Sequence, residues 1–172
     1  MIKFKEQDMK LLKIYTEVLK DILSDKPLKV KVYPKDDYLE VVCAPHTVVY
    51  CVPKDSFPFD LNSKRLSDGV SGSSSGSLIP NNLVANLEKA TIVGYDMRIV
   101  DAKEYLVALL KVNPDDEKER PVMVNKDLLK NFDKDAELRI VNEYDRIHPV
   151  GVFEKNTSGD YALAGLVLPI MR

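Results

Sequence analysis

Two stretches decide the fold, VKVYPKDDYLEVV at residues 30–42 and MRIVDAKEYLVAL at residues 97–109, and they align without a gap. Each predicts a strand, an acidic turn, a Tyr-Leu pair and a second strand. Allowing for a longer second loop, YCVPKDSF at 50–57 falls on VMVNKDLL at 122–129, where a strand runs into Lys-Asp at the start of a helix or turn. The chain therefore resembles two copies of a helix plus β-meander unit, and such a repeat changes the fold prediction. Chance similarity between antiparallel hairpins with acidic turns is the alternative.

The first copy begins with an amphipathic helix between Lys5 and about Asp25, where apolar residues recur at spacings of three and four. This spacing predicts one inward stripe. Its members are Leu11, Tyr15, Val18 and Ile22, joined by Leu12, Leu19 and Leu23. Pro27 ends the helix. Strands are predicted at 30–33, 38–43 and 48–52, and their short connections suit antiparallel neighbours.

A Ser/Gly-rich segment at 61–77 separates residues 1–60 from residues 78–172 and has the composition of a flexible linker, natural or engineered. The second part predicts a short helix at 81–90 with Leu83, Val84 and Leu87 inward. A second helix is predicted from Lys126 to Phe132. Strands are predicted at 91–100, 104–112, 121–124, 136–142, 149–154 and 161–170. The prediction is an α+β fold of antiparallel β-meanders with two or three packed helices and an internal pseudo-repeat.

Composition excludes several classes of protein. The 25 Lys and Arg against 27 Asp and Glu give a formal net charge of −2, so only a local patch could attract phosphate. No stretch approaches the roughly 18 apolar residues of a membrane span, and the start lacks a signal-peptide apolar region, so we expect a cytoplasmic protein. The 2 cysteines and 2 histidines cannot form a disulfide framework or a zinc site. His46 and His148 also lack a local partner that would mark a general base.

The remaining chemical motifs do not indicate catalysis. GSSSG at 72–76 matches the G-x-S-x-G nucleophile motif but lacks the strand and helix that would strain the serine. Cys43 should oppose Val48, and Cys51 should oppose Glu40, so the thiols should not meet and should act as small core residues. We therefore predict no catalytic residue, no metal site and no cofactor.

Charge patterning on two helices is the remaining signal. On the first helix, Lys10, Lys13, Glu17 and Lys20 share one net basic face. Lysines four residues apart also mark one face of the helix near 126–134; they are Lys126, Lys130 and Lys134. Exposed lysines are ordinary on helices, but their recurrence in corresponding parts of a repeat favours contact with phosphates.

Toward its C-terminus the sequence resembles the DNA polymerase sliding clamp, or processivity factor, family of the bacterial type. VMVNKDLLKNF at 122–132 resembles the family's strand ending in Asn that enters a Leu-Leu helix. AELRIV at 136–141 through PVGV at 149–152 resembles the next two strands, and LVLPIMR at 166–172 is similar to the terminal strand. The resemblance lies mainly in residues 120–172, and the N-terminal part matches a clamp domain only by pattern.

The resemblance implies a DNA-clamp-like fold in which lysine-bearing helices face a channel for duplex DNA. The lysines that would contact phosphates are Lys10, Lys13, Lys20, Lys126, Lys130 and Lys134. It also implies that a polymerase or other protein binds by a peptide motif at a pocket near the chain end. The residues matching that pocket are Val167, Leu168, Pro169 and Met171. The chain is about half a bacterial clamp protomer, so a ring would need several copies.

Two functions are therefore predicted. One is a non-catalytic, clamp-like, DNA-associated scaffold that tethers a replication or repair partner, with a possible homo-oligomer. The other is a protein-interaction module, such as an accessory protein of a phage or mobile element, that does not bind DNA. Solution mass separates them, because encircling DNA demands a closed oligomer.

Overall fold

The computed structural model describes residues 6–25, 30–43, 47–61, 81–90, 94–102, 105–113, 115–141 and 149–170. The chain divides into two compact units, Met1–Leu78 and Ile79–Arg172. Two α-helices and nine antiparallel strands within the described residues make this an α+β protein, as predicted. No helix in this part of the chain is long and apolar enough to cross a membrane. The predicted linker lies outside the described residues from position 62 onward.

The first helix, α1, spans Glu6–Ile22 and packs through Ile14 and Val18, which are buried. The prediction that Leu12, Leu19 and Leu23 join the inward stripe is wrong, because all three are exposed. Each of them follows an inward position of the predicted stripe by one residue, and one residue turns an α-helix by about 100°.

Contacts at two places along α1 hold the helix against the rest of the first unit. The Tyr15 hydroxyl lies 2.9 Å from Ser56 Oγ, and the Tyr15 ring meets Phe57 and Phe59 edge to face at centroid distances of 5.7 and 6.4 Å. Near the C-terminal end of the helix, the backbone N–H of Val30 donates to Asp21 Oδ2 at 2.7 Å. The middle and the C-terminal end of the helix are thus held against segments that follow it in the first unit.

Three strands form an antiparallel meander in the first unit. They are β1 (Lys31–Pro34), β2 (Tyr38–Cys43) and β3 (Val48–Pro53). The central strand β2 is buried on both faces from Leu39 to Cys43, which matches its run of apolar residues. A short 3₁₀ helix, Lys54–Ser56, follows β3. The three strands were predicted to within one residue at each end.

The second unit begins with a helix and a second meander. The elements are α2 (Asn81–Glu88), β4 (Gly94–Ala102), β5 (Tyr105–Lys111) and β6 (Val122–Asn125). The helix predicted from Lys126 to Phe132 is instead a 3₁₀ helix of 4 residues, Lys126–Leu129. Asn125 Oδ1 accepts from the Asp127 N–H at 3.0 Å, and the Phe132 N–H donates to Leu129 O at 3.0 Å. Bonds over three residues close turns of the 3₁₀ type, so an α-helix does not continue here.

The first hairpins of the two meanders share a register next to their turns. The ungapped sequence alignment carries Tyr33 onto Val100 and Glu40 onto Val107; Tyr33 pairs with Glu40, and Val100 pairs with Val107. Farther from the turn, an irregularity between Asp96 and Val100 shifts the register of the second hairpin by two residues. The third strands differ by two residues, since the alignment would set Val124 opposite Leu106 but it pairs with Ala108. A shift of two preserves which side chains share a face. Each third strand then enters a 3₁₀ helix at the aligned Lys-Asp.

A third antiparallel set closes the second unit. Its strands are β7 (Glu137–Arg139), β8 (Val150–Lys155) and β9 (Tyr161–Val167). The turn between β8 and β9 is held by Asn156 Oδ1, which accepts from the N–H groups of Ser158 and Asp160 at 2.9 and 3.0 Å. Gly159 has a φ of 89° in this turn, a conformation that side chains disfavour.

Gly151 on β8 lies under α2, and its missing side chain permits the approach. A Cβ at this position would lie 2.9 Å from Phe153 Cε2 and 3.1 Å from Leu87 Cδ1. We expect Gly151→Val to lower the free energy of unfolding by about 1–3 kcal/mol through overpacking. The measurement is urea unfolding followed by circular dichroism. Ala162→Val, at an exposed position on β9, should stay within about 0.5 kcal/mol; equal losses in both variants would contradict the close packing.

Candidate interaction surfaces

The structure places three of the predicted phosphate-contacting lysines on one edge of α1. Lys13 and Lys20 are exposed, and Lys10 is half-buried. At about 100° per residue the three positions fall within about 80° around the helix axis. We call Lys13 and Lys20 the lysine edge. The helical pattern that predicted this grouping is confirmed, while contact with phosphate stays a prediction.

An exposed row of apolar side chains runs beside the lysine edge. Met9, Leu12, Leu19 and Leu23 are 42%, 51%, 42% and 74% exposed. We call these four residues the apolar stripe. The sequence reasoning missed this stripe because it assigned three of its members to the core. The sequence did contain an indication of this stripe. The helix α1 carries more apolar residues than one face can hold, and they form two rows that are offset by one position.

The lysines at 126–134 have a different setting from the one predicted. Lys126 lies half-buried in the 3₁₀ helix, and Lys130 and Lys134 are exposed in the turns that follow. A spacing of four aligns side chains on an α-helix, but the chain here is not α-helical. The predicted lysine-bearing helix face is therefore wrong. Aspartates alternate with these lysines and match their number; they are Asp127, Asp133 and Asp135.

The predicted peptide pocket involves residues in three settings. Val167 ends β9 and is fully buried, whereas Leu168 is 40% exposed and Pro169 is half-buried. Met171 lies outside the described residues. The N–H of Ile170 donates to Met123 O at 2.7 Å, so the end of the described chain is held against β6. Among the described residues of this set, Leu168 is the one with an exposed apolar side chain.

Glu40 is a charged residue in the core of the first unit. It is 0% exposed on β2, and its Oε1 lies 3.4 Å from Lys35 Nζ. A buried carboxylate costs several kcal/mol unless it is paired, and Lys35 supplies the opposite charge. Lys35 itself is positioned by a turn in which its N–H donates to Tyr38 O at 2.9 Å.

The two cysteines lie where the sequence predicted. Cys43 pairs with Val48 and Cys51 pairs with Glu40, and both thiols are free. Burial raises the pKa of Cys51 to about 12, with a further rise from Glu40. Burial also raises the pKa of Cys43 to about 12. Thiols in such surroundings stay protonated at neutral pH and are poor nucleophiles.

Tyr38 shares the surroundings of Glu40 and Cys51. Burial raises the pKa of Tyr38 to about 12, and the charges of Cys51 and Glu40 add to the rise. This cluster therefore contains two groups that hold their protons and one carboxylate paired with a lysine. Its arrangement suits a structural role in the sheet better than proton transfer near neutral pH.

These raised pKa values predict a loss of stability at alkaline pH. Unfolded thiols ionise from a pKa of 9.0, whereas Cys43 and Cys51 in the folded chain ionise at about 12. Between these values the folded protein binds more protons than the unfolded chain, so the free energy of unfolding falls as pH rises. Urea midpoints at about pH 8 and about pH 10.5 should differ less in Cys43→Ala/Cys51→Ala than in the wild type. Identical differences would show that the thiols do not contribute.

The described residues contain no cluster suited to a metal ion, and the chain matches no known protein. Among the described residues, no group of three or more His, Cys, Asp or Glu could hold a metal ion. His46, His148 and the GSSSG segment lie outside these residues. No family model matches the chain, and neither a curated protein nor a solved structure matches it.

Proposed function

We propose that this chain is a non-catalytic, clamp-like scaffold that contacts duplex DNA phosphates through lysines and tethers a replication or repair partner. The observation that carries the proposal is the lysine edge of α1, with Lys13 and Lys20 exposed on a helix that is held at its middle and near its C-terminal end. Lysines on a rigid helix offer phosphates positive charge without reading bases. Such binding is independent of sequence and weakens steeply with salt.

The similarity between the two meanders supports the clamp-like part of the proposal. Each unit has a helix followed by an antiparallel three-stranded meander and a 3₁₀ helix at Lys-Asp. The sliding clamp resemblance of residues 120–172 is the other support. A chain of this size would assemble as several copies to surround a duplex, so the proposal includes a homo-oligomer.

The setting of the buried reactive groups supports a non-catalytic role. The two thiols and the phenol of Tyr38 have raised pKa values, and Glu40 faces Lys35. General acids and bases work best with pKa values near the operating pH. These groups are better suited to packing.

A protein-interaction module without DNA binding is the second candidate. Leu168 favours it, because this exposed side chain follows the buried Val167 at a chain end that a hydrogen bond from Ile170 to Met123 holds in place. The aspartates among Lys126, Lys130 and Lys134 also favour it, since equal numbers of opposite charges leave little net attraction for phosphate.

DNA binding should depend on the proposed lysines. Lys13→Glu with Lys20→Glu should abolish retention of duplex DNA, because reversing both charges of the lysine edge replaces attraction to phosphates with repulsion. The measurement is fluorescence anisotropy of a labelled duplex between about 50 mM and about 200 mM salt. Lys89→Glu with Lys118→Glu changes the net charge equally at other exposed lysines and should retain binding. Unchanged binding in the first pair would reject the DNA proposal.

The solution mass should distinguish the two candidates. A chain that encircles DNA must form a closed oligomer, so light scattering should give a mass several times that of one chain. A monomer at all concentrations would support the protein-interaction module and count against a ring. The measurement requires no ligand and therefore does not depend on the DNA experiment.

A further inference from the structure

The apolar stripe of α1 has the spacing of a coiled-coil seam. Met9, Leu12, Leu19 and Leu23, with Thr16 between them, follow spacings of three and four. These are the a and d positions of a heptad, the pattern by which one helix receives another. The Thr16 hydroxyl donates to Leu12 O at 2.7 Å, so its hydrogen bond is made within the helix.

The opposite side of α1 is already occupied, so the stripe cannot turn inward without unpacking the helix. Ile14 and Val18 are buried in the core of the unit. The Tyr15 ring packs on Phe57 and Phe59. The stripe is thus presented by a rigid helix, which lowers the entropy lost on binding a partner.

The charges beside the stripe select among possible occupants. Lys13 and Lys20 each follow a leucine of the stripe by one position, which makes them the e positions of the heptad. On the other edge the g positions are Asp8, Tyr15 and Ile22, and the last two are half-buried. The exposed edge formed by Lys13 and Lys20 is positive, and it would attract acidic side chains at the flanking positions of a partner helix.

A second copy of this chain would provide an acidic partner for at most one of the two lysines. Antiparallel pairing of two α1 helices would set Lys13 near Lys20 of the other copy, and like charges facing each other oppose association. Parallel pairing would set Lys13 near Asp8 of the other copy, but it would set Lys20 near Tyr15, whose ring already packs on Phe57 and Phe59. Duplex DNA could pair with the lysines but would leave four large apolar side chains in water.

We infer that the apolar stripe and the lysine edge together form a docking site for an acidic amphipathic helix of another protein. From Met9 to Leu23 the stripe runs about 21 Å, so the bound helix needs about four turns. Leucines or similar residues of that helix cover the stripe, and its Glu or Asp residues pair with Lys13 and Lys20. This site goes beyond the proposed function, because it needs neither an oligomer nor DNA.

Two synthetic helices test the inference. The acidic probe is a labelled peptide of about three heptads with Leu at a and d and Glu at e and g, and the basic probe has Lys in place of Glu. Fluorescence anisotropy should show that the wild type binds the acidic probe at least about tenfold more tightly than the basic probe. A scrambled peptide with the composition of the acidic probe should not bind.

Two pairs of substitutions separate the apolar and the charged contributions. Leu12→Ser with Leu19→Ser should weaken binding of the acidic probe about tenfold or more, since two apolar contacts are lost. Lys13→Glu with Lys20→Glu should reverse the preference, so that the basic probe binds more tightly. Lys89→Glu with Lys118→Glu, the matched charge control, should keep the original preference. Leu23→Ser, at the most exposed position of the stripe, provides a milder variant if the leucine pair unfolds.

Several results would overturn the inference. Equal binding of the acidic and basic probes, no binding of the acidic probe, or full binding by the leucine variants would remove the docking site. A wild-type dimer that the leucine pair converts to monomers in light scattering would assign the stripe to a second copy. Loss of duplex DNA retention in the leucine pair would assign it to DNA. Unchanged duplex retention in Lys13→Glu/Lys20→Glu would reject the DNA proposal, while a reversed probe preference in the same variant would leave the inference standing, so the two proposals fail separately.

Discussion

Packing of α1 through Ile14 and Val18 decides which side chains the first unit offers to a partner. With that face buried and the Tyr15 ring against Phe57 and Phe59, the helix can rotate only by breaking apolar and aromatic contacts. An ordinary amphipathic helix would then expose only polar residues. Here the exposed half carries both lysines and large apolar residues, so this one packing arrangement creates two adjacent surfaces of different chemistry. The DNA proposal uses one of them, and the docking inference requires both.

The central strand of the first meander, β2, buries a charged side chain. Glu40 lies in β2, whose two faces are both covered, and Lys35 comes from the turn just before the strand. Slipping β2 by one residue would move Glu40 to the opposite face, where this turn lysine would no longer meet it. The ion pair therefore favours the observed register, while its desolvation offsets much of the attraction. The neighbouring thiol of Cys51 keeps its proton because it is buried and because Glu40 beside it is negatively charged.

The two meanders show which parts of a repeated unit tolerate change. Their first hairpins share a register next to the turn, and differences of two residues appear farther along β4 and in the third strand. The second copy has a longer loop before that strand, which Glu119 closes by accepting the N–H groups of Val112 and Asn113 at 2.7 Å each. Carboxylate bonds to free backbone donors stabilise such a loop. The strand faces are preserved because the shift is even.

The sequence by itself determined the existence of the strands, the register of the β2–β3 hairpin and the positions of the two cysteines in it, because alternation and short turns are local constraints. It also placed three lysines on one edge of α1, since helical geometry follows from spacing alone. Tertiary structure decided which of the two apolar rows of α1 is buried. It also decided that Val167 faces the core while Leu168 faces solvent, and that the chain after Asn125 forms a 3₁₀ turn. Periodicity fixes which residues share a face, but burial depends on what packs against that face, and only the folded chain supplies that partner.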